Sequence, residues 1–206
     1  MSARVKICGI TRLEDALEAV RLGADALGFN FWPPSKRYCA PEAARRIIAR
    51  LPPFVATVGV FVNQPREEIL QAIAQAGIGV VQLHGDETPD QCAAFAAPVI
   101  KALRVEGASS LSKMEGYAVS AFLLDTPTEG FGGSGKTFDW SLVHRAGRER
   151  PILLAGGLTP ENVAKAIKEV RPYGVDVASG VESAPGIKDP DKMARFIAAA
   201  KEAASA

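Results

Sequence analysis

The sequence alternates along its length between short runs of β-branched and apolar residues and longer segments rich in Ala, Leu, Glu and Arg. Runs of the first kind predict strands, and the longer segments predict helices. A strand that alternates with a helix must pair with the next strand in parallel, through a right-handed crossover. The predicted strands cover 5–8, 26–31, 55–62, 79–83, 99–103, 121–124, 152–155 and 175–178.

Eight strand–helix units, at about 26 residues each, predict a closed (β/α)₈ TIM barrel. The Pro/Gly clusters all fall between units, so we expect a single α/β domain over residues 1–206. The structural alternative is a doubly wound open sheet, which usually has fewer strands and a reversal of strand order. In a barrel, the loops that follow the carboxyl ends of the strands carry the chemistry.

Capping signals predict where the helices begin and end. Thr11 and Glu14 match a capping box for the first helix, and Gly77 is a stop for the third. A second stop is expected at Gly23, and further helix starts are expected at Thr88-Pro89, Thr159-Pro160 and Asp189-Pro190. The remaining helices are expected over 41–50, 110–117 and 139–145.

Composition excludes several classes of function. The chain has 24 Lys and Arg against 23 Asp and Glu, so no global basic excess favours nucleic acid or anionic lipid. No apolar run approaches the roughly 18 residues of a membrane span, and the N-terminus lacks the pattern of a signal peptide. Three widely spaced cysteines, with no CxxC pair, and two histidines argue against a structural zinc site. We therefore expect a cytoplasmic protein with reduced thiols and no metal.

Residues 130–137, GFGGSGKT, match the P-loop pattern for nucleotide phosphates. A working P-loop joins a strand directly to a helix that begins at its Lys-Thr. Here the residues Thr126-Pro127-Thr128-Glu129 lie between Asp125, at the end of the strand, and the glycines, and the next helix is expected to begin only at Asp139. The preferred interpretation is a lid loop over the barrel mouth. A P-loop remains the alternative.

Glycines follow the seventh and eighth predicted strands, at Gly156-Gly157 and Ser179-Gly180. Such glycines let backbone N–H groups approach an anion closely, and barrels commonly bind phosphate with these two loops. We therefore predict a phosphate site, although two ordinary turns would leave the same signal.

Cys8 ends the first strand, and alternation places Lys6 on the same side of that strand. Because the first and eighth strands are neighbours in a closed barrel, we predict a buried ion pair between Lys6 and Asp176. A cation near the thiol would favour the thiolate, which is the form that acts as a base. Cys8 could equally be a small buried apolar residue, which is the interpretation given to Cys39 and Cys92.

Three further polar residues lie at or beyond strand ends. Asp125 follows three apolar residues and is either a turn residue or a partly desolvated acid suited to proton donation. Arg37, in a basic loop beside aromatic residues, could bind a substrate carboxylate or could be simply solvated. His84 is either a structural hydrogen-bonding residue or part of the site, and His144, in a predicted helix, is assigned no role.

Eight segments of the chain together resemble the phosphoribosylanthranilate isomerase family. The resemblance covers essentially the whole chain, in order, at every strand end, which is more specific than any single motif. The matching segments are VKICGIT at 5–11, 28–38, VGVFVN at 58–63, VQLHGDE at 81–87, Leu124-Asp125, GGSGKTFDW at 132–140, LAGGL at 154–158 and DVASGVE at 176–182.

The resemblance implies an Amadori rearrangement in tryptophan biosynthesis, which converts the aminoaldose N-(5-phosphoribosyl)anthranilate into an aminoketose without cofactor or metal. By the family pattern, Asp125 is the general acid that opens the furanose ring and Cys8 is the base that removes the C2 proton. Arg37 is expected to bind the anthranilate carboxylate, and His84 to lie near the substrate. Gly156, Gly157, Ser179 and Gly180 are expected to bind the phosphate.

The resemblance also implies that the partner is this small phosphorylated substrate, with the chain a monomer or a homodimer. Three alternatives remain at this point: the aminoaldose isomerase of the histidine pathway, a nucleotide-binding P-loop protein, and a non-catalytic barrel that binds a phosphorylated ligand. Alkylation of Cys8 would separate the first of these, because that family is expected to use carboxylates.

Overall fold

The computed structural model describes residues 3–126, 139–145 and 149–205, and eight parallel strands in it form a closed barrel. Each strand pairs with the next, and β1 pairs with β8, so the TIM-barrel prediction is confirmed and the open sheet is wrong. The barrel strands are β1 (Arg4–Cys8), β2 (Ala26–Asn30), β3 (Ala56–Phe61), β4 (Val80–Leu83), β5 (Val99–Arg104), β6 (Ala121–Asp125), β7 (Ile152–Leu154) and β8 (Gly174–Val177).

Helices cover the outside of the barrel. The α-helices are α1 (Leu13–Arg21), α2 (Pro41–Ile48), α3 (Arg66–Ala76), α4 (Pro89–Ala93), α5 (Ala108–Ser112), α6 (Val163–Val170) and α7 (Pro190–Ser205). Three short 3₁₀ segments cover Lys113–Gly116, Trp140–Arg145 and Ser179–Val181. None of the helices among the described residues has both the length and the apolar character needed to cross a bilayer.

The period-two alternation of the strands divides the core in two. Inward-facing side chains such as Val58, Ile100 and Leu123 form a small cluster inside the barrel. Outward-facing side chains pack against the helices in a much larger cluster. Some of these inward rows lead from the apolar centre to a polar residue at the barrel mouth, as from Val80 to His84 and from Leu123 to Asp125.

Several helix ends lie where the sequence predicts them. Gly23 and Gly77 follow α1 and α3 with positive φ, which glycine adopts without strain. Thr88 and Gln91 form a capping box at α4, and Asp189 accepts a hydrogen bond from the backbone of Lys192 at the start of α7.

Other helix predictions are wrong. Thr11 does not cap α1, because its hydroxyl donates to the carbonyl of Gly186 and the N-cap is Arg12. Thr159 does not cap α6, because residues 159–162 form a turn in which Asn162 accepts from the Thr159 N–H. The helix expected over 110–117 is a short α-turn followed by a 3₁₀ turn, and that expected over 139–145 is entirely 3₁₀ from Trp140 onward.

A small antiparallel hairpin follows the last barrel strand and was not predicted. It consists of β9 (Glu182–Ala184) and β10 (Ile187–Lys188). Its glycine, Gly186, has positive φ, as a tight turn requires. The hairpin brings two charged residues, Glu182 and Lys188, back over the end of β1.

Candidate active site

Three sequence-predicted residues lie in inward rows at the carboxyl ends of barrel strands. Cys8 ends β1, Asp125 ends β6, and His84 directly follows β4. Each shares the parity of a residue known to face the interior, such as Val80 for His84 and Leu123 for Asp125. The closed topology therefore brings all three to one mouth of the barrel.

The predicted ion pair below Cys8 is confirmed. Lys6 Nζ lies 2.6 Å from Asp176 Oδ1, and Lys6 is only 2 % exposed. Burial is the largest single influence and opposes the charged lysine, but the charges of Asp176 and Cys8 and the hydrogen bonds to both together outweigh it and raise the pKa of Lys6. The register of β1 against β8 places these two residues side by side.

Burial governs the thiol more strongly than the nearby cation does. Desolvation raises the pKa of the Cys8 thiol above its ordinary value, while the positive charge of Lys6 acts in the lowering direction without overcoming it. Because Asp176 already neutralises Lys6, the expected stabilisation of the thiolate is only partial. In the free protein Cys8 is therefore mainly a protonated thiol at neutral pH.

Asp125 is buried and makes two hydrogen bonds. The backbone N–H of Thr126 donates to Oδ1 at 2.7 Å, and Nε2 of His84 lies 3.2 Å from Oδ2. His84 in turn contacts Gln82 through its other ring nitrogen, at 3.0 Å. The imidazole of His84 therefore contacts the Asp125 carboxylate directly at the barrel mouth.

Arg37 reaches the same mouth from the loop after β2. Its Nε and Nη2 donate to the two carboxylate oxygens of Glu182, at 2.8 and 2.7 Å. A Cβ on Gly9, the residue after Cys8, would lie 2.6 Å from Arg37 Cδ, so Arg37 packs directly beside the thiol strand. The arginine is thus held in place near Cys8 before any ligand binds.

Lys188 forms a cluster with Glu182 and the end of β1. It donates to Glu182 Oε1 at 2.9 Å, to the Cys8 carbonyl at 2.5 Å and to the Ala178 carbonyl at 3.2 Å. Burial alone would raise the pKa of Glu182, but the hydrogen bonds from Arg37 and the charge of Lys188 hold it below its ordinary value. Burial lowers the pKa of Lys188 despite that partner.

The two glycine loops lie next to each other and next to Asp125. Gly156 and Gly157 both have positive φ, and their N–H groups find no acceptor among the described residues. A Cβ on Gly156 would lie 2.8 Å from Asp125 Oδ1, and one on Gly180 would collide with the backbone carbonyl of Leu158. Ser179 begins the 3₁₀ turn after β8. The arrangement is suited to an anion bound close to the acid.

Sequence reasoning missed four residues that hold the site: Gln82, Glu87, Glu182 and Lys188. Glu87 is buried, pairs with Lys101 at 2.7 Å and accepts from the N–H groups of Asn63 and Gly85, which fixes the loop after His84. Of these four residues, only Gln82 could have been found from the sequence. It is a polar residue two places before His84 in an apolar strand, so its side chain must point into the barrel on the same side as that of His84.

The other two cysteines, the P-loop-like segment and His144 are not part of the site described above. Cys39 and Cys92 are buried, and desolvation raises the pKa of each thiol to about 11. The P-loop-like segment at 130–137 lies outside the described residues, as does the side chain of His144. In the described part of the chain, no three His, Cys, Asp or Glu side chains are grouped so that they could hold a metal ion.

Comparison with known proteins identifies close relatives. Residues 5–199 match the family model described as N-(5'phosphoribosyl)anthranilate (PRA) isomerase. The chain is 55 % identical over 203 residues to N-(5'-phosphoribosyl)anthranilate isomerase of Pelobacter propionicus, covering 98 % of this chain and 97 % of that protein. The same enzyme of Trichlorobacter lovleyi is 55 % identical over 202 residues, covering 97 % and 98 %.

Solved structures are similar over the same length. The phosphoribosyl anthranilate isomerase of Thermotoga maritima superposes with a TM-score of 0.91 at 52 % identity, covering 97 % of this chain and 99 % of the other. A structure of this enzyme in complex with reduced 1-(o-carboxyphenylamino)-1-deoxyribulose 5-phosphate gives a TM-score of 0.87 at 48 % identity, with the same coverage.

Proposed function

The chain belongs to the N-(5'-phosphoribosyl)anthranilate isomerase family and is an isomerase of tryptophan biosynthesis, and we propose that Cys8 and Asp125 carry out its proton transfers. The reaction converts an aminoaldose into an aminoketose. Since only protons and electron pairs within the substrate move, we propose that it needs neither a cofactor nor a metal.

Asp125 acts first, as the general acid. Its O–H bond breaks as the proton passes to the furanose ring oxygen, and the C1–O bond breaks with its electron pair staying on that oxygen. The nitrogen lone pair forms the C=N bond of an iminium. Cys8, as the thiolate, then removes the proton from C2, which leaves an enolamine. The enolamine becomes the ketone as C1 takes up a proton and the C2 hydroxyl loses its proton, so that the C2=O bond forms.

The observation that supports this assignment best is the common mouth of the barrel. Cys8 and Asp125 come from β1 and β6, which β7 and β8 separate in the closed barrel, so they can flank one bound sugar at its mouth. Gly156, beside Asp125, supports a phosphate site next to the acid. A ligand that extends from Gly156, Gly157, Ser179 and Gly180 toward Arg37 would pass between acid and base.

Arg37 is proposed to bind the anthranilate carboxylate. Two of its nitrogens already bind Glu182, and its Nη1 has no partner among the described residues. A carboxylate could bind to that nitrogen while Glu182 keeps the guanidinium plane fixed. The structure of a relative in complex with a reduced product, which bears a carboxyphenyl group, agrees with a ligand of this shape.

We also propose that the chain is a homodimer that acts in the cytoplasm. One solved relative, from Thermotoga maritima, is described as dimeric. The three cysteines are free thiols, as is usual in a reducing compartment.

The test of the catalytic assignment follows the loss of anthranilate fluorescence when purified protein meets freshly made phosphoribosylanthranilate. We expect Cys8→Ser and Asp125→Asn each to lower kcat by about 10²-fold or more, since a general acid or base contributes about 10²–10⁴ in rate. Both variants should still bind the reduced product analogue in a titration. Near-native kcat in either variant would show that the role assigned to that residue is wrong.

A further inference from the structure

Gln82 is a polar side chain buried inside the barrel, directly below the site. It is 1 % exposed and lies in the inward row Val80, Gln82, His84, whose first member packs in the apolar barrel centre. A buried amide is costly unless it makes hydrogen bonds. Within the described residues Gln82 makes one, from Nε2 to His84 Nδ1 at 3.0 Å, and none of these residues donates to its buried Oε1.

The hydrogen bond at Nδ1 decides what His84 offers to Asp125. With the Gln82 N–H donating, Nδ1 carries a lone pair, so the proton of a neutral imidazole is on Nε2 and points at Asp125 Oδ2. That arrangement complements an ionised Asp125. If the amide turns over, Oε1 accepts from Nδ1–H, and Nε2 becomes an acceptor for a protonated Asp125.

An amide is the one side chain of this size that offers either a donor or an acceptor at the same place. A general acid needs both, because Asp125 is protonated before it acts and is a carboxylate afterwards. The orphaned Oε1 of Gln82 shows that the surroundings do not hold the amide in one orientation by a second hydrogen bond.

We propose that Gln82 is a positioning residue which, by presenting either end of its amide to His84, sets the ring nitrogen that carries the proton and so supports both protonation states of Asp125. The proposal rests on the role given to Asp125 above. In each turnover the Asp125 proton goes to the substrate ring oxygen. The imidazole then exchanges Nδ1–H for Nε2–H through solvent water, with no change in its own proton count.

The test combines kinetics with a direct measurement of the imidazole protons. The chain has two histidines, so His144→Gln leaves His84 as the one imidazole seen by histidine-selective ¹⁵N NMR. In that background Gln82→Glu, measured at a pH where its carboxyl is ionised, can only accept at Nδ1, and Gln82→Met can neither donate nor accept strongly. Gln71→Glu, at an exposed position on α3, is the control for added charge.

We expect Nε2–H to dominate in the free parent protein and Gln82→Glu to move the proton to Nδ1. Both Gln82 variants should lower kcat by about tenfold or more with KM within about twofold, a fraction of the general-acid effect. Gln71→Glu should change neither quantity. An unprotonated Nδ1 in Gln82→Glu, or native kcat in Gln82→Met, would overturn the proposal.

Two readouts keep this result distinct from a failure of the catalytic assignment. If Asp125→Asn retains kcat, the general acid has been assigned wrongly. The tautomer of His84 is measured without substrate, so this second result tests the role of Gln82 independently of the acid. Should Gln82→Met fail to fold, the spectrum of Gln82→Glu and its kcat decide the matter.

Discussion

At the scale of single residues, the position of the Cys8 thiol depends on a neighbour that has no side chain. A Cβ built on Gly28, which pairs with Cys8 in the β1–β2 register, would lie 2.7 Å from Cys8 Sγ and 3.1 Å from Lys6 Nζ. Lys6 cannot move far, since Asp176 holds its ammonium group in an ion pair. The added methyl group must therefore displace the thiol.

We expect Gly28→Ala to lower kcat by about tenfold to a hundredfold, because a misplacement of roughly 1 Å can cost about 10² in rate. The measurement is the fluorescence assay together with the rate of Cys8 alkylation. Gly79→Ala is the matched control, since its Cβ would meet nothing closer than 3.6 Å. Equal activity in the two variants would mean that the thiol does not need its present position.

The raised pKa of Cys8 predicts a pH dependence with a definite sign. Since the base must be a thiolate and burial raises its pKa, kcat/KM should climb as pH rises through the range from about 6 to 8 rather than level off below 7. Carbamidomethylation by iodoacetamide should follow the same curve and should vanish in Cys8→Ala. A plateau already reached at about pH 6 would contradict this prediction.

Sequence reasoning could place some of these residues and not others. Lys6 and Asp176 were predictable because strand parity and barrel closure are enough to pair them. The contact of His84 with Asp125 depends on how far each side chain reaches across the mouth, which parity does not give. The attraction of Lys6 for the thiolate was overestimated, because Asp176 and burial both act against it.

At the scale of elements, the hairpin of β9 and β10 holds the proposed substrate clamp. Glu182 binds Arg37 and Lys188, and Lys188 is fully buried and also holds the carbonyls of Cys8 and Ala178. The segment 178–189, which connects β8 to α7, therefore ties the loop after β2 to the end of β1. Removing the charge of Glu182 would leave a buried ammonium without its carboxylate.

We expect Glu182→Gln to lower the free energy of unfolding by about 3 kcal/mol, the low end of the cost of breaking a buried ion pair. Urea denaturation measures it, and KM should rise as Arg37 loses its support. Glu161→Gln breaks the exposed pair with Arg195 and is the control, with an expected change of at most about 0.5 kcal/mol. Similar losses in both variants would show that burial of the pair is unimportant.

The failure to predict the hairpin and the incorrect prediction of helix caps have the same physical cause. Thr11 has the spacing of a capping box, but the carbonyl of Gly186, distant in sequence, takes its hydroxyl instead. Strands of two and three residues have too little periodicity to be recognised locally. Thr88 behaves as predicted because its partner, Gln91, lies within the same helix start. Local partners can be read from sequence, whereas distant competitors cannot.

At the scale of the whole molecule, the opposite end of the barrel bears the features of a contact between copies. Phe54, in the loop between α2 and β3, is 97 % exposed. Beside it the amino-terminal ends of the strands surround a cavity of about 480 Å³ lined largely by apolar side chains, including Val58, Ile100 and Leu153. An exposed aromatic residue and an apolar cavity on one face suit a two-fold arrangement in which each copy inserts Phe54 into the other.

Because this face lies at the other end of the barrel from Cys8 and Asp125, we expect that loss of the dimer leaves the catalytic rate nearly unchanged. We expect the native chain to have twice the monomer mass by light scattering at micromolar concentration, and Phe54→Asp to be monomeric with kcat within about twofold of native. Its Tm should fall and lose its dependence on protein concentration, because association stabilises only the folded chain. Leu17→Asp, at a 39 % exposed position on α1, is the control and should remain dimeric. A native chain that is monomeric at all concentrations, or a dimer that survives Phe54→Asp, would place the interface elsewhere or remove it.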